Sequence, residues 1–215
     1  MSTVPYDDFL PEVLQFTPDV PEFVAVNAIR NAAIEFCERT RYWQTDLDPE
    51  IVAAGQASYQ IDIPLQTKFV DIVEAWYNDV LLIPKSVEDL TRIYRYTDWR
   101  TVQSDPQYLT RQVNEELILV PMPVKSGGQL KIRAALAPTR ASTTIDQSIY
   151  EQFLEYIAFG ARARLYNTPK QPYFDKTSAL EYEKKFRAAI SEVRTRVNKG
   201  LSRSAVQVEY ARWAQ

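Results

Sequence analysis

The chain has 215 residues, with 25 Lys+Arg against 28 Asp+Glu for a formal charge of −3, no His and one Cys. Without histidine there is no Ser-His-Asp or Cys-His catalysis, no His-ligated metal and no imidazole pH switch. One Cys cannot close an internal disulfide or build a thiolate zinc site, and with five Gly and no GxGxxG or GxxxxGKS/T the usual phosphate-cradling loops are missing.

Residues 1–20 read as an arm. Pro5, Pro11 and Pro18 break any long helix, while Phe9, Leu10, Val13, Leu14 and Phe16 are apolar enough for a short helix around 6–15 to dock on the body. The first long helix is expected over 21–43, with Asp19 as cap, Pro21 in the first turn and Glu22 favouring the N-terminal dipole. Phe23, Val26, Ile29 or Arg30, Ala33, Phe36 and Cys37 recur at helical spacing. Cys37 lies on or beside that apolar face and reads as core, not as a reactive thiol.

From about 51 to 138 the period changes to that of strands. Tyr59–Ile63 alternates and stops at Pro64. Phe69–Ile83 reads as a hairpin turning at Asn78-Asp79, and Ser86-Val-Glu-Asp89 has the form of a capping box that opens a short helix to about Arg95. Tyr108–Gln112 and Glu116–Val120 form a second hairpin, and Gln129–Ala137 follows the turn at Ser126-Gly-Gly128 as a further strand. Helical periodicity returns at about 145. Thr144 or Asp146 caps a helix to about Tyr166 whose buried stripe is Ile149, Phe153, Ile157, Gly160 or Ala161, and Leu165. A last helix over 175–199 starts at Asp175 or Ser178, buries Ala179, Tyr182, Phe186, Ala189, Ile190, Val193 and Val197, and ends at Gly200, where a C′ glycine belongs.

These elements predict an α+β fold: a helical bundle of three long helices, the N-terminal one and two C-terminal ones, with an inserted β-rich lobe of five or six strands and an extended C-terminal tail. The expected divisions are 1–50 for the arm and first bundle helix, 51–140 for the inserted lobe, 141–200 for the C-terminal helices and 201–215 for the extended terminal segment. Nearly half the chain is apolar (46%), enough for a packed core. No apolar run approaches the about 20 residues that span a bilayer, and the N-terminal residues lack a signal pattern. A protein made in a cytoplasm, with Cys37 reduced and no membrane contact, is the expectation.

Charge is uneven along the chain. Residues 1–50 carry 3 basic and 10 acidic residues, residues 51–150 carry 10 and 11, and residues 151–215 carry 12 and 7. Either these ends are simply solvated, or they meet different partners in an assembly. In the terminal segment Val206, Val208 and Tyr210 alternate with polar residues and Trp213 follows. A segment this apolar is expected to bury itself, by β-pairing on its own fold or on an edge or groove of another chain.

Chemistry finds little purchase. The carboxylate neighbours Asp7-Asp8, Asp46/Asp48, Glu88-Asp89 and Glu115-Glu116 sit in apparent turns or helical surfaces and read as solvated or capping groups. Asp46-x-Asp48 lacks the glycine and later Glu of an EF-hand loop. No catalytic residue, cofactor or metal site is expected. Arg194, Arg196, Lys199, Arg203 and Arg212 with Tyr210 and Trp213 suit passing, non-specific contact with DNA, but no sequence-reading motif is present.

The order of elements and three phrases resemble the head–tail adaptor (connector, neck) proteins of tailed bacteriophages. The phrases are Ile29-Arg-Asn-Ala-Ala-Ile-Glu-Phe-Cys-Glu-Arg-Thr40 with Tyr42-Trp43, Leu119-Val-Pro-Met-Pro123, and Ala179-Leu-Glu-Tyr-Glu-Lys-Lys-Phe-Arg-Ala-Ala-Ile190; the similarity runs from about 10 to 200. The resemblance implies a structural virion protein in the neck, a homo-oligomeric ring, commonly of twelve copies, that joins the portal protein to a tail or nozzle protein and continues the DNA channel. It also implies that the C-terminal segment grips the portal, which makes Arg203, Val206, Val208, Tyr210, Arg212 and Trp213 the expected portal-binding residues. The alternatives are another neck component, such as a head-closure or tail-completion ring protein, then a DNA-binding regulatory protein or a hydrolase.

Overall fold

The computed structural model describes residues 2–111 and 116–200. In chain order it opens with β1 (Thr3–Pro5), a 3-10 turn (Tyr6–Phe9), α1 (Leu10–Leu14) and α2 (Glu22–Thr40). Strands β2 (Gln44–Asp46), β3 (Glu50–Val52), β4 (Ser58–Gln60), β5 (Thr67–Tyr77), β6 (Val80–Leu81) and β7 (Ile83–Pro84) follow. Next come α3 (Val87–Ile93), β8 (Tyr108–Arg111), β9 (Glu116–Val120) and β10 (Gly128–Pro138). The chain finishes with β11 (Thr144–Asp146), α4 (Gln147–Tyr166) and α5 (Lys176–Asn198). It divides into two compact units, one of Met1–Tyr42 with Arg140–Gln215 and one of Trp43–Thr139.

The α+β class holds, but the expected frame of three long helices with an inserted lobe and an extended tail is corrected. Five α-helices and eleven strands in three sheets are present among the described residues. One helix, α3, lies in the strand unit. One sheet lies in the helical unit, where β1 pairs with β11 and Val4 faces Ile145. The arm is therefore a built part of the helical unit: Tyr6, Phe9 and Val13 are fully buried there. Its strand is three residues long and finds its partner some 140 positions later, so no local period announces it.

Within the helical unit α2, α4 and α5 meet at Gly160. A Cβ there would come within 2.9 Å of the Phe186 ring and 3.0 Å of the Ala32 Cβ, so the missing side chain is what lets the three backbones approach. The buried stripe of α4 is the expected one, Ile149, Phe153, Ile157, Gly160, Ala161 and Leu165. That of α2 is so only in part. Ala25, Ala28, Ala32 and Ala33 turn inward with Ile29, Phe36 and Cys37, while Phe23, expected in the core, is 71% exposed. Pro21 takes the N-cap position of α2 without any side-chain cap, and Arg41 ends the helix in the left-handed region at φ 54°. Cys37 is fully buried, and burial pushes its thiol far above the ordinary cysteine range.

In the strand unit β5 and β10 form a long antiparallel pair with two register irregularities, which let long strands bend. Asn78 and Asp79 both have positive φ, the two-residue turn their sequence announces. The segment from Val80 to Pro84 passes between sheets: β6 pairs with β5, and β7 pairs in parallel with β8. Both sheets supply one core, with Tyr59, Phe69, Leu82, Leu109, Leu117, Leu130 and Leu136 among its members. Of the expected capping box the N-cap half forms: the Ser86 hydroxyl oxygen accepts from the Asp89 N–H at 3.1 Å, and the Ser86 hydroxyl donates to the Asp89 carboxylate at 2.9 Å.

The buried arm makes a pH prediction. The Tyr6 hydroxyl, 3.0 Å from the Ser142 oxygen, is pushed up to about 12 by burial. An unfolded tyrosine ionises near pH 10, so this group's stabilisation is complete below that value and is lost as pH rises toward 12. The loss is roughly 2 kcal/mol by the top of that window. Urea unfolding at rising pH is expected to show a falling midpoint, and Tyr6→Phe is expected to flatten the slope. An unchanged slope in that variant would remove Tyr6 from the account.

Candidate interaction surfaces

Helix α5 leads toward the terminal segment, and its two ends are built from local chemistry. The Asp175 carboxylate caps it, accepting from the N–H groups of Thr177 and Ser178 and from the Ser178 hydroxyl. Those bonds hold its carboxyl below the usual range. Ala179, Phe186, Ala189, Ile190 and Val193 are buried, and Tyr182 and Val197 are half-buried. Lys176, Lys184, Lys185, Arg187, Arg194 and Arg196 are exposed. Lys185 pairs with Glu181 at 2.7 Å, which raises the lysine above its ordinary value, and Arg187 pairs with Glu183. Gly200 takes the C′ position at φ 71° and donates to the Val197 carbonyl. The six expected portal-binding residues, Arg203, Val206, Val208, Tyr210, Arg212 and Trp213, lie outside the described residues.

A buried arginine ties α5 to the arm, and the sequence reading passed over it. Arg162 on α4 is 2% exposed. Its guanidinium donates to both the backbone carbonyl and the carboxylate of Glu12. It also stacks on Phe16, 3.9 Å from the ring centroid, and lies 5.3 Å from that of Tyr182. Tyr166 stacks on Tyr182 at 5.8 Å and donates its hydroxyl hydrogen to the Phe16 carbonyl at 2.7 Å. Arm, α4 and α5 thus share one cation. The signal was present: Arg162 interrupts the apolar run of Ala158-Phe-Gly-Ala161 and Ala163, two residues ahead of Arg164.

Among the described residues the carboxylate neighbours do not converge; Glu115 lies outside those residues. Asp46 chelates Arg133, which holds its carboxyl below the usual range, and Glu116 accepts from the Ser58 hydroxyl at 2.9 Å. Asp7 and Asp8 are exposed, and Glu88 and Asp89 sit in the first turn of α3. Among the described residues there is no group of three or more His, Cys, Asp or Glu that could hold a metal ion, and no helix long and apolar enough to cross a membrane. Trp99 is another residue that sequence patterning missed. It is 3% exposed, its indole N–H has no acceptor among the described residues, and it lines a pocket of about 190 Å³ with Ile118, Leu119 and Val120. Arg100 covers its ring at 4.3 Å.

Over residues 4–209 the chain matches the model of the SU10 adaptor protein family, and it belongs to that family of phage head–tail adaptors. It is accordingly a structural component of the virion neck that associates with other virion components, such as portal and tail. The resemblance seen in its helix phrases is borne out. No curated protein matches the chain.

Proposed function

We propose that this adaptor works as a homo-oligomeric ring, of about twelve copies as is common for such rings, seated between the portal protein and the tail or nozzle. In this reading its opening continues the DNA channel, and the segment 201–215 docks on the portal. The supporting observation is the family match across residues 4–209, which includes most of that segment. The alternation of Val206, Val208 and Tyr210 suits β-pairing on another chain, where main-chain hydrogen bonds hold and alternate side chains select. Arg203 and Arg212 add electrostatic selection and Trp213 an aromatic anchor. A ring multiplies a modest contact by its copy number, so weak single anchors hold collectively. The exposed Arg194 and Arg196 on α5 suit passing, sequence-independent contact with genomic phosphates. No bond-making step is assigned to the chain.

Deletion of residues 201–215 tests the anchor. The truncated chain is expected to fold with an unchanged circular dichroism spectrum, yet to be missing from portal-containing heads in a pull-down. Normal attachment of the truncated chain would refute the docking assignment.

A further inference from the structure

Phe23 stands in solvent at the N-terminal end of α2, 71% exposed, with the exposed carboxylates of Asp19 and Glu22 beside it in sequence. Neither carboxylate has a hydrogen bond or ion pair among the described residues. A pocket of about 280 Å³ opens elsewhere on the same unit, walled by Ala163, Ala179, Leu180 and Phe186. Leu180 on its wall is 58% exposed. Three cations and two carboxylates rim it. Arg164 pairs with Glu35 and Arg187 with Glu183, which leaves Lys176 with no partner among the described residues. The rim is therefore net positive and the surroundings of Phe23 net negative.

Single exposed apolar residues are ordinary. An exposed knob and a hole with an apolar wall and a rim of opposite charge on one body are a different matter. Glu35, on the pocket rim, lies twelve residues beyond Phe23 on α2. That spacing is about 18 Å along the axis and about 120° around it. Knob and hole are separate patches, so a copy cannot fill its own hole by a small local shift. Two different patches that fit each other make a head-to-tail contact, which closes into a ring when the rotation between copies allows.

We propose that Phe23 of one copy enters the α4/α5 pocket of the next, with Asp19 and Glu22 facing Lys176 and Arg187, and that this contact forms the seam of the ring. The inference rests on the ring reading above and names its partner surface. The seam is heterologous, aromatic at its centre and charged at its rim, and its centre is where truncation costs most.

The test uses full-length chains in assembled particles. A Phe23→Cys/Leu180→Cys double variant, oxidised and run without reductant, is expected to give a ladder of covalent oligomers, while each single variant runs as a monomer. Cys37 is buried and stays out of the reaction. A second measurement guards against poor assembly of the cysteine variants. Lys176→Glu is expected to lower ring formation about tenfold or more by setting like charges opposite each other, and Glu22→Lys in the same chain is expected to restore it. Rings seen by electron microscopy without a ladder, a self-linked Phe23→Cys dimer, or a charge swap that restores nothing would each overturn the seam while leaving the ring reading intact. Unaltered protein that forms no ring in particles would overturn the ring reading, and the seam with it.

Discussion

Arg162→Ala is expected to lower the unfolding free energy by about 3–5 kcal/mol, the range for breaking a buried ion pair. The side chain of Arg162 is 3% exposed and that of Glu12 is 33% exposed. Its removal leaves the Glu12 carboxylate and carbonyl without their donor, and Phe16 and Tyr182 without the plane they stack on. The two partners are not equivalent. Glu12 still reaches water once Arg162 is gone, whereas Glu12→Gln leaves the buried Arg162 cation without its counter-charge; Gln keeps an acceptor for the guanidinium, yet the variant is still expected to cost about as much as Arg162→Ala. Arg162→Lys keeps the charge but loses the planar fork, and is expected to cost less than Arg162→Ala. Arg162→Met keeps most of the volume and separates packing from charge. Urea unfolding followed by circular dichroism decides among these. A loss below about 1 kcal/mol for Arg162→Ala would show that the clamp contributes no more than a surface pair.

Phe153→Ala is expected to cost about 3–5 kcal/mol. The residue is 1% exposed and sits off the helical region, at φ −132° and ψ 17°, where α4 bends. Its ring packs against Tyr42 at 4.6 Å in a near-perpendicular arrangement and against Phe36 at 5.0 Å. Tyr42 in turn donates to Gln152 at 2.9 Å. Truncation removes aromatic contacts worth about 0.5–1.5 kcal/mol each and leaves a cavity between α2 and α4. Phe153→Leu fills most of that space and is expected to lose only about 1–2 kcal/mol. The near-UV signal of Tyr42 reports the same event. If Phe153→Ala unfolds at the wild-type urea concentration, α4 collapses onto the gap and the bend is not held by this ring.

Both variants act on the unit that carries α5 into residues 201–215. A destabilised arm, α4 or α5 is therefore expected to reduce attachment indirectly, whereas the deletion of 201–215 removes it without a change in unfolding. Comparing the two kinds of variant separates folding from docking.

What was legible in the sequence was local. Asn78-Asp79 announced its hairpin because two adjacent residues that tolerate positive φ have few other uses. Ser86, Asp146, Asp175 and Gly200 marked helix ends because capping is settled within three or four residues. The stripe of α4 was readable because its inward positions are large and apolar. The stripe of α2 was read in part: Ile29, Ala33, Phe36 and Cys37 are buried as expected, but Ala25, Ala28 and Ala32 were passed over, because alanine gives a weak period. Phe23 and Val26, expected inward, are exposed and half-buried.

The amino-acid order alone determined the α+β class, the absence of histidine chemistry, the caps that open α3, α4 and α5 and the glycine that closes α5, and, through its phrases, membership of the adaptor family. Tertiary structure decided the rest. It paired β1 with β11, set three-residue strands β2 and β3 against β10, buried Arg162 among aromatic rings and left Phe23 in solvent. Each of these depends on a partner far along the chain, and the free energy of such a contact is carried by the pair, so neither segment shows it alone.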